Sequence, residues 1–136
     1  MSPANPEPRP AVEVAAAVIV DRGRYLIARR RDDAVLGGYW EFPGGKRRPH
    51  ETIAACLRRE VREEVGVDIA VGEVIEHVVH QYPHGTVDIT FVRGTLAQGE
   101  PAARGCAEVR WVTPSELPAH RFPSANDALI RRLSGS

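Results

Sequence analysis

Apolar residues run without interruption from Val14 to Val20, and Val12 lies just ahead of them. A short Val- and Ala-rich run bounded by turn residues predicts a buried strand over Val12–Val20. Asp21-Arg22-Gly23 then supplies a turn and Arg24–Arg29 a second strand, so the two form a hairpin. Between Thr52 and Val65 the period changes. Ile53, Leu57 and Val61 recur every four residues, and Ala54 and Val65 widen the stripe. That spacing predicts a helix, with Gly66 at its C-terminal cap. Val74–Tyr82, Val87–Gly94 and Glu108–Val112 are predicted strands, with Pro83-His84-Gly85 turning between the first two. Pro114–Leu117 predicts a short helical turn and Ala125–Leu133 a final helix. Strands flanking a central helix, with a second helix at the end, predict an α/β (α+β) sandwich.

Residues 31–50 break this regularity with Gly37-Gly38, Pro43-Gly44-Gly45 and Pro49. A long loop of this kind inside a compact domain is usually functional. Residues 1–10 hold four prolines and almost nothing apolar, and are expected to form a flexible tail ahead of one domain over residues 11–136. A length of 136 residues suits one domain that needs neither disulfide nor metal to fold.

Charge narrows the partners. The 18 basic residues balance the 18 acidic ones, which argues against long nucleic acid, whose binding is driven by excess positive charge. A transmembrane helix needs about 20 apolar residues, far more than the Val14–Val20 run provides. The N-terminus lacks the basic-then-apolar order of a secretory signal. Cys56 and Cys106 match no zinc spacing and are expected to be reduced thiols in a cytoplasmic protein.

The candidate chemistry lies on the central helix. Glu60, Glu63 and Glu64 are three and four residues apart and share about 100° of helical arc. That arc overlaps the edge of the apolar stripe. Like charges there repel, and they stand near the helix C-terminus, where the macrodipole disfavours anions. A hard divalent cation would resolve the conflict. By themselves these glutamates could equally pair with Arg58, Arg59 and Arg62 on a solvated face.

The preceding loop decides between these readings. It reads Trp40-Glu41-Phe42-Pro43-Gly44-Gly45-Lys46. From Gly45, five residues lead to Glu51, and seven more lead to Arg59-Glu60-Val61-Arg62-Glu63-Glu64-Val65-Gly66-Val67. This pattern resembles the signature of the Nudix hydrolases at every defined position, far more specifically than a lone glycine motif. The resemblance implies a Nudix-type α/β/α sandwich with a mixed β-sheet. It implies hydrolysis of a nucleoside diphosphate linked to another group, with Mg²⁺ (or Mn²⁺) as cofactor. Glu60, Glu63 and Glu64 would be metal ligands together with the Gly45 carbonyl. Arg59 would orient the carboxylates, and Glu51 would close the loop–helix connection.

The loop and the run Phe122-Pro123-Ser124-Ala125-Asn126-Asp127 are also similar to the MutT-like subgroup, which hydrolyses 8-oxo-dGTP to the monophosphate and pyrophosphate. On that resemblance Asn126 would recognise the base, Phe42 would lie against it, and Arg30 would contact the nucleotide. Asn126 could also merely cap the last helix, and Phe42 could be core. Relatives with similar segments hydrolyse CTP or modified dCTP, and the same frame serves ADP-ribose cleavage or, without catalysis, base reading beside a glycosylase. In MutT-like relatives a further glutamate often stands six residues before the tryptophan matching Trp111. Here that position is Gly105, so the general base is left open between Glu108, Glu100 and a helix glutamate.

Overall fold

The computed structural model describes residues 11–135. The expected tail over residues 1–10 lies outside them. Strand β1 (Val12–Asp21) turns tightly into β2 (Arg24–Arg29). Two short strands follow, β3 (Trp40–Glu41) and β4 (Gly44–Lys46), then helix α1 (Ile53–Val65). The long hairpin β5 (Asp68–Tyr82) and β6 (Gly85–Gln98) comes next, then β7 (Glu108–Val112) and a 3₁₀ turn over Pro114–Ala119. A second 3₁₀ turn (Ser124–Asn126) leads into α2 (Asp127–Ser134).

Among the described residues the strands form one mixed sheet with the order β3-β2-β1-β6-β5. β1 and β6 are parallel from Val12↔Val87 to Val20↔Thr95, and the other pairs are antiparallel. Along its other edge β1 is shared. Its end pairs with β2, whereas Val14, Ala15 and Ala16 pair with Lys46, Gly45 and Gly44 of β4. This split edge brings the glycine loop onto the sheet.

The apolar run of β1 is continuous because both faces of the strand are covered. Ala15, Ala17 and Ile19 point into a core beneath α1, with Leu26, Leu57, Val61, Val65 and Val92. Ala16 and Val18 point the other way, towards Ile27, Phe42, Phe91, Leu117 and Leu129 beneath α2. Burying each large aliphatic side chain is worth about 1.5–3 kcal/mol. The resulting α/β/α sandwich with a mixed sheet is the expected fold class.

The helix begins at Ile53 rather than at Thr52, which caps it, and it ends at Gly66 as expected. The Thr52 hydroxyl caps α1 by accepting from Ala55 N–H at 3.0 Å. Gly66 closes it at φ 74°, a left-handed conformation suited to glycine. The strands differ from expectation. β5 starts at Asp68 rather than Val74, and β6 runs to Gln98 rather than Gly94. Asp68 and Gly72 are poor strand residues, but pairing with β6 overrides their propensity, with register shifts between Asp68 and Glu76. The loop at 31–50 contains β3 and β4, each too short to give a periodic signal. The final helix begins at Asp127 rather than Ala125, because residues 124–126 wind as a tighter 3₁₀ turn. No helix of the described residues is long and apolar enough to cross a membrane.

Candidate active site

Strand β4 carries almost no side chain where it runs between β1 and α1, and the reason is spatial. A Cβ on Gly44 would lie 2.0 Å from the Ala15 carbonyl oxygen and 2.8 Å from Ala16 Cα. A Cβ on Gly45 would lie 2.3 Å from Glu60 Oε2. One glycine is required by neighbouring backbone, the other by the carboxylate it faces.

Arg59 organises that side of the helix. Its guanidinium donates to both oxygens of Glu51, from Nε at 2.7 Å and from Nη2 at 2.9 Å. It also donates to Glu60 Oε1 at 2.6 Å and to the Lys46 carbonyl at 3.1 Å, and stands 3.5 Å from Glu63 Oε2. Arg59, assisted by the Arg48 N–H, holds the Glu51 carboxyl down at about 2. The planar fork is needed because a lysine could not bridge so many oxygens. Glu63 remains largely exposed at 57%.

Glu64 faces inward and is only 8% exposed. Gly44 N–H donates to its Oε2 at 3.3 Å, while Oε1 is buried with no hydrogen-bond partner. Burial, reinforced by the neighbouring charge of Glu41, pushes the Glu64 carboxyl up to about 9. Burial also raises Glu41, against the lowering effect of Arg30. Glu41 was not among the candidate site residues. Its position next to Phe42 in the loop is visible in the sequence, but its approach to Glu64 depends on β3 pairing with β2.

On the other side of β4 the sheet opens into a cavity of about 450 Å³. Arg30, Phe42 and Asn126 all line it, together with Glu41, Gly44 and Gly45. Asn126 is 5% exposed. Its amide Nδ2 donates to the Pro123 carbonyl at 3.1 Å and its side chain makes no capping bond to α2. Phe42 is a core residue as well as a cavity wall. It is 2% exposed and packs against Phe91 and Phe122 with ring centroids 6.3 and 5.4 Å away. Arg30 donates to Glu41 Oε2 at 2.9 Å and to the Val35 carbonyl at 2.7 Å. Gly44 and Gly45 thus line the cavity and also face the carboxylates of Glu64 and Glu60.

A model of the NUDIX domain matches residues 14–132. The chain belongs to the Nudix family. It is 34% identical over 123 residues to an 8-oxo-dGTP diphosphatase of Haemophilus influenzae, covering 90% of each chain. It is also 34% identical over 122 residues to a CTP pyrophosphohydrolase of Escherichia coli, covering 84% of this chain and 83% of that one. A crystal structure of a MutT protein from Methanosarcina mazei shares the fold, with a TM-score of 0.84 at 23% identity, over 96% of this chain and 97% of that one. The protein is thus a MutT-like Nudix pyrophosphohydrolase. Enzymes of this family act on small nucleotides and generally use divalent metals.

The residues of this Nudix hydrolase fit a hard cation. All the donors are oxygens, Glu64 Oε1 is buried without a partner, and Gly45 leaves room only for the Glu60 carboxylate. The carboxylates are turned to different protein partners, however. Arg59 takes Glu60 and Glu63, and Glu64 lies beneath Gly44. Among the described residues no group of three or more acidic, His or Cys side chains already forms a metal cage. Gly105 does lie against this turn of α1: its N–H donates to the Glu64 carbonyl at 2.9 Å, and a Cβ there would be 3.3 Å from Glu63 O. Glu108 is engaged by Arg110 at 2.6 Å and Arg29 at 3.4 Å, which keep its carboxyl below the ordinary range. Cys56 and Cys106 are free thiols, both pushed up to about 11 by burial.

Glu64 gives the metal-free enzyme a pH signature. Burial and the neighbouring Glu41 charge raise its carboxyl from the ordinary 4.5 of the unfolded chain to a value well above it in the folded one. Between these values the folded state holds the extra proton, so stability present below the lower value is lost as pH rises through the upper. In the presence of EDTA the unfolding free energy is expected to fall by up to about 1.4 kcal/mol per pH unit across this window. Glu64→Gln should flatten the slope, and an unaltered slope in that variant would refute the assignment.

Proposed function

We propose that this enzyme hydrolyses a (deoxy)nucleoside triphosphate to the monophosphate and pyrophosphate, with Mg²⁺ (or Mn²⁺) as cofactor and 8-oxo-dGTP as its preferred substrate. The observation that carries this reading is Asn126. It is buried in the cavity wall and, although it stands at the N-cap position of α2, its side chain makes no cap bond; Gly44 and Gly45, which face Glu64 and Glu60, line the same cavity. A carboxamide both donates and accepts, and so matches a purine edge. Phe42 supplies an apolar surface for the base, and Arg30 stands where it can meet the nucleotide. The relative named as an 8-oxo-dGTP diphosphatase supports the substrate. A nucleotide-sanitation role in the cytoplasm goes with it.

Glu60, Glu63, Glu64 and the Gly45 carbonyl would hold the cation. Once bound, it neutralises the polyphosphate and makes a coordinated water more acidic. The protein's own part is positional. Arg59 holds Glu51, Glu60 and the Lys46 carbonyl in one rigid fork, which keeps α1 against β4. Glu63 is the exposed carboxylate of the set, open to water beside Arg59. Glu108 is tied to two arginines, and the base is sought among the helix glutamates and Glu100.

A second reading, hydrolysis of CTP or a modified dCTP, is favoured by the equal identity to the CTP pyrophosphohydrolase. The test is pyrophosphate release from a nucleotide panel with Mg²⁺ or Mn²⁺. We expect 8-oxo-dGTP to be hydrolysed with the highest kcat/KM. Asn126→Ala should lower the preference for 8-oxo-dGTP over dGTP by about tenfold or more, the worth of one or two hydrogen bonds to a desolvated base. Equal loss on both nucleotides would overturn the base-reading role, and a clear preference for a cytosine nucleotide would establish the second reading.

A further inference from the structure

We propose that Tyr82 is a positioning residue for base selection, acting through the turn that presents Asn126; this rests on the reading above. Tyr82 is the last residue of β5, 44 positions before Asn126 in the chain. Its hydroxyl oxygen accepts the Ala125 N–H at 3.0 Å. Ala125 is 4% exposed, so that N–H needs an acceptor from the protein. Two residues earlier on the same strand, His80 Nε2 is 3.0 Å from Ser124 Oγ. The two residues preceding Asn126 are thus each tied by a hydrogen bond to β5.

Packing of Phe122 on Phe42 and of Leu129 in the core places the flanking chain, and the bonds to Tyr82 and His80 fix the turn itself against β5. The Asn126 N–H and Nδ2 both donate to the Pro123 carbonyl. Those bonds shape the turn without orienting it to the cavity. Tyr82 is itself held on both sides, stacked on His84 at 5.0 Å and tilted against His80 at 4.5 Å. Tyr82, His84 and Asn126 line the same cavity. The ring stack therefore transmits the position of the β5–β6 hairpin to the carboxamide. A base contact misplaced by a fraction of an ångström loses much of its selectivity. Phenylalanine would keep the ring and remove only the acceptor.

The test is a double-mutant cycle of Tyr82→Phe and Asn126→Ala on the full chain. It is scored as the ratio of kcat/KM between the best and the poorest base in the wild-type panel. Tyr82→Phe is expected to lower that ratio by about tenfold, mainly through KM for the favoured nucleotide. In the Asn126→Ala background it should change the ratio by less than about twofold, because the two residues act as one unit. Circular dichroism and thermal unfolding verify that the variants fold. An unchanged ratio in a folded Tyr82→Phe enzyme, or the same decrease in both backgrounds, overturns the proposal. A wild type that prefers another base refutes the substrate reading and leaves the cycle fully scorable. A wild type with no base preference overturns both.

Discussion

Replacing Glu64 by glutamine is expected to lower kcat by about 10³-fold while leaving the metal-free protein at least as stable as the wild type above neutral pH. The two effects have opposite signs because the same carboxyl serves opposite ends. Its Oε1 is buried without a partner, and burial together with Glu41 holds it neutral well above the usual carboxylate range. A neutral amide of the same shape relieves that conflict. It also removes an anionic oxygen from the set that would hold the cation. Stored conflict of this kind is common at sites selected for activity rather than stability. Glu63→Gln is the control: this side chain is 57% exposed, so its loss should reduce turnover without a gain in stability. Pyrophosphate release with Mg²⁺ and thermal unfolding in EDTA measure the two effects separately. Turnover that survives in both variants would remove these glutamates from the reaction.

The second large effect separates two adjacent glycines. Gly44→Ala should prevent stable folding, because its Cβ would meet the backbone of β1 at 2.0 and 2.8 Å, and neither strand can retreat without breaking the β1–β4 ladder. Overpacking costs about 1–3 kcal/mol where side chains can yield, and more where only backbone faces the new atom. The nearest atoms to a Cβ at Gly45 are the carboxylate end of Glu60, a side chain that can yield at the expense of its bond to Arg59. That variant is expected to unfold near the wild-type temperature and to lose about 10²-fold in kcat/KM through displacement of Glu60. Thermal unfolding and steady-state kinetics of the pair test this. A Gly45→Ala enzyme of normal activity would show that the Glu60 position is not needed.

Much of the site could be read from the chain because its core is a loop and a helix contiguous in sequence. The four-residue spacing of Ile53, Leu57 and Val61 places one face of α1 on the sheet, and helical geometry then groups Glu60, Glu63 and Glu64 without knowledge of anything else. The cap at Thr52 and the stop at Gly66 are likewise local. Asn126 illustrates the limit. Its side chain was equally compatible with a helix cap, and only its burial in the cavity wall and its bond to Pro123 separate the readings. Arg30 stands in a run of three arginines, and only the fold shows that it lines the cavity while paired with Glu41.

Local patterning therefore determined the hydrophobic faces, the helix with its ends, and the glutamate arc, since each depends on residues a few positions apart. Tertiary structure alone decided that β4 runs against β1, that Glu41 stands beside Glu64, and that Tyr82 holds the turn carrying Asn126. Those outcomes arise from pairing between segments 20 to 43 residues apart. A strand of two or three residues, or one hydroxyl meeting one distant N–H, leaves no period in the sequence for a local reading to detect.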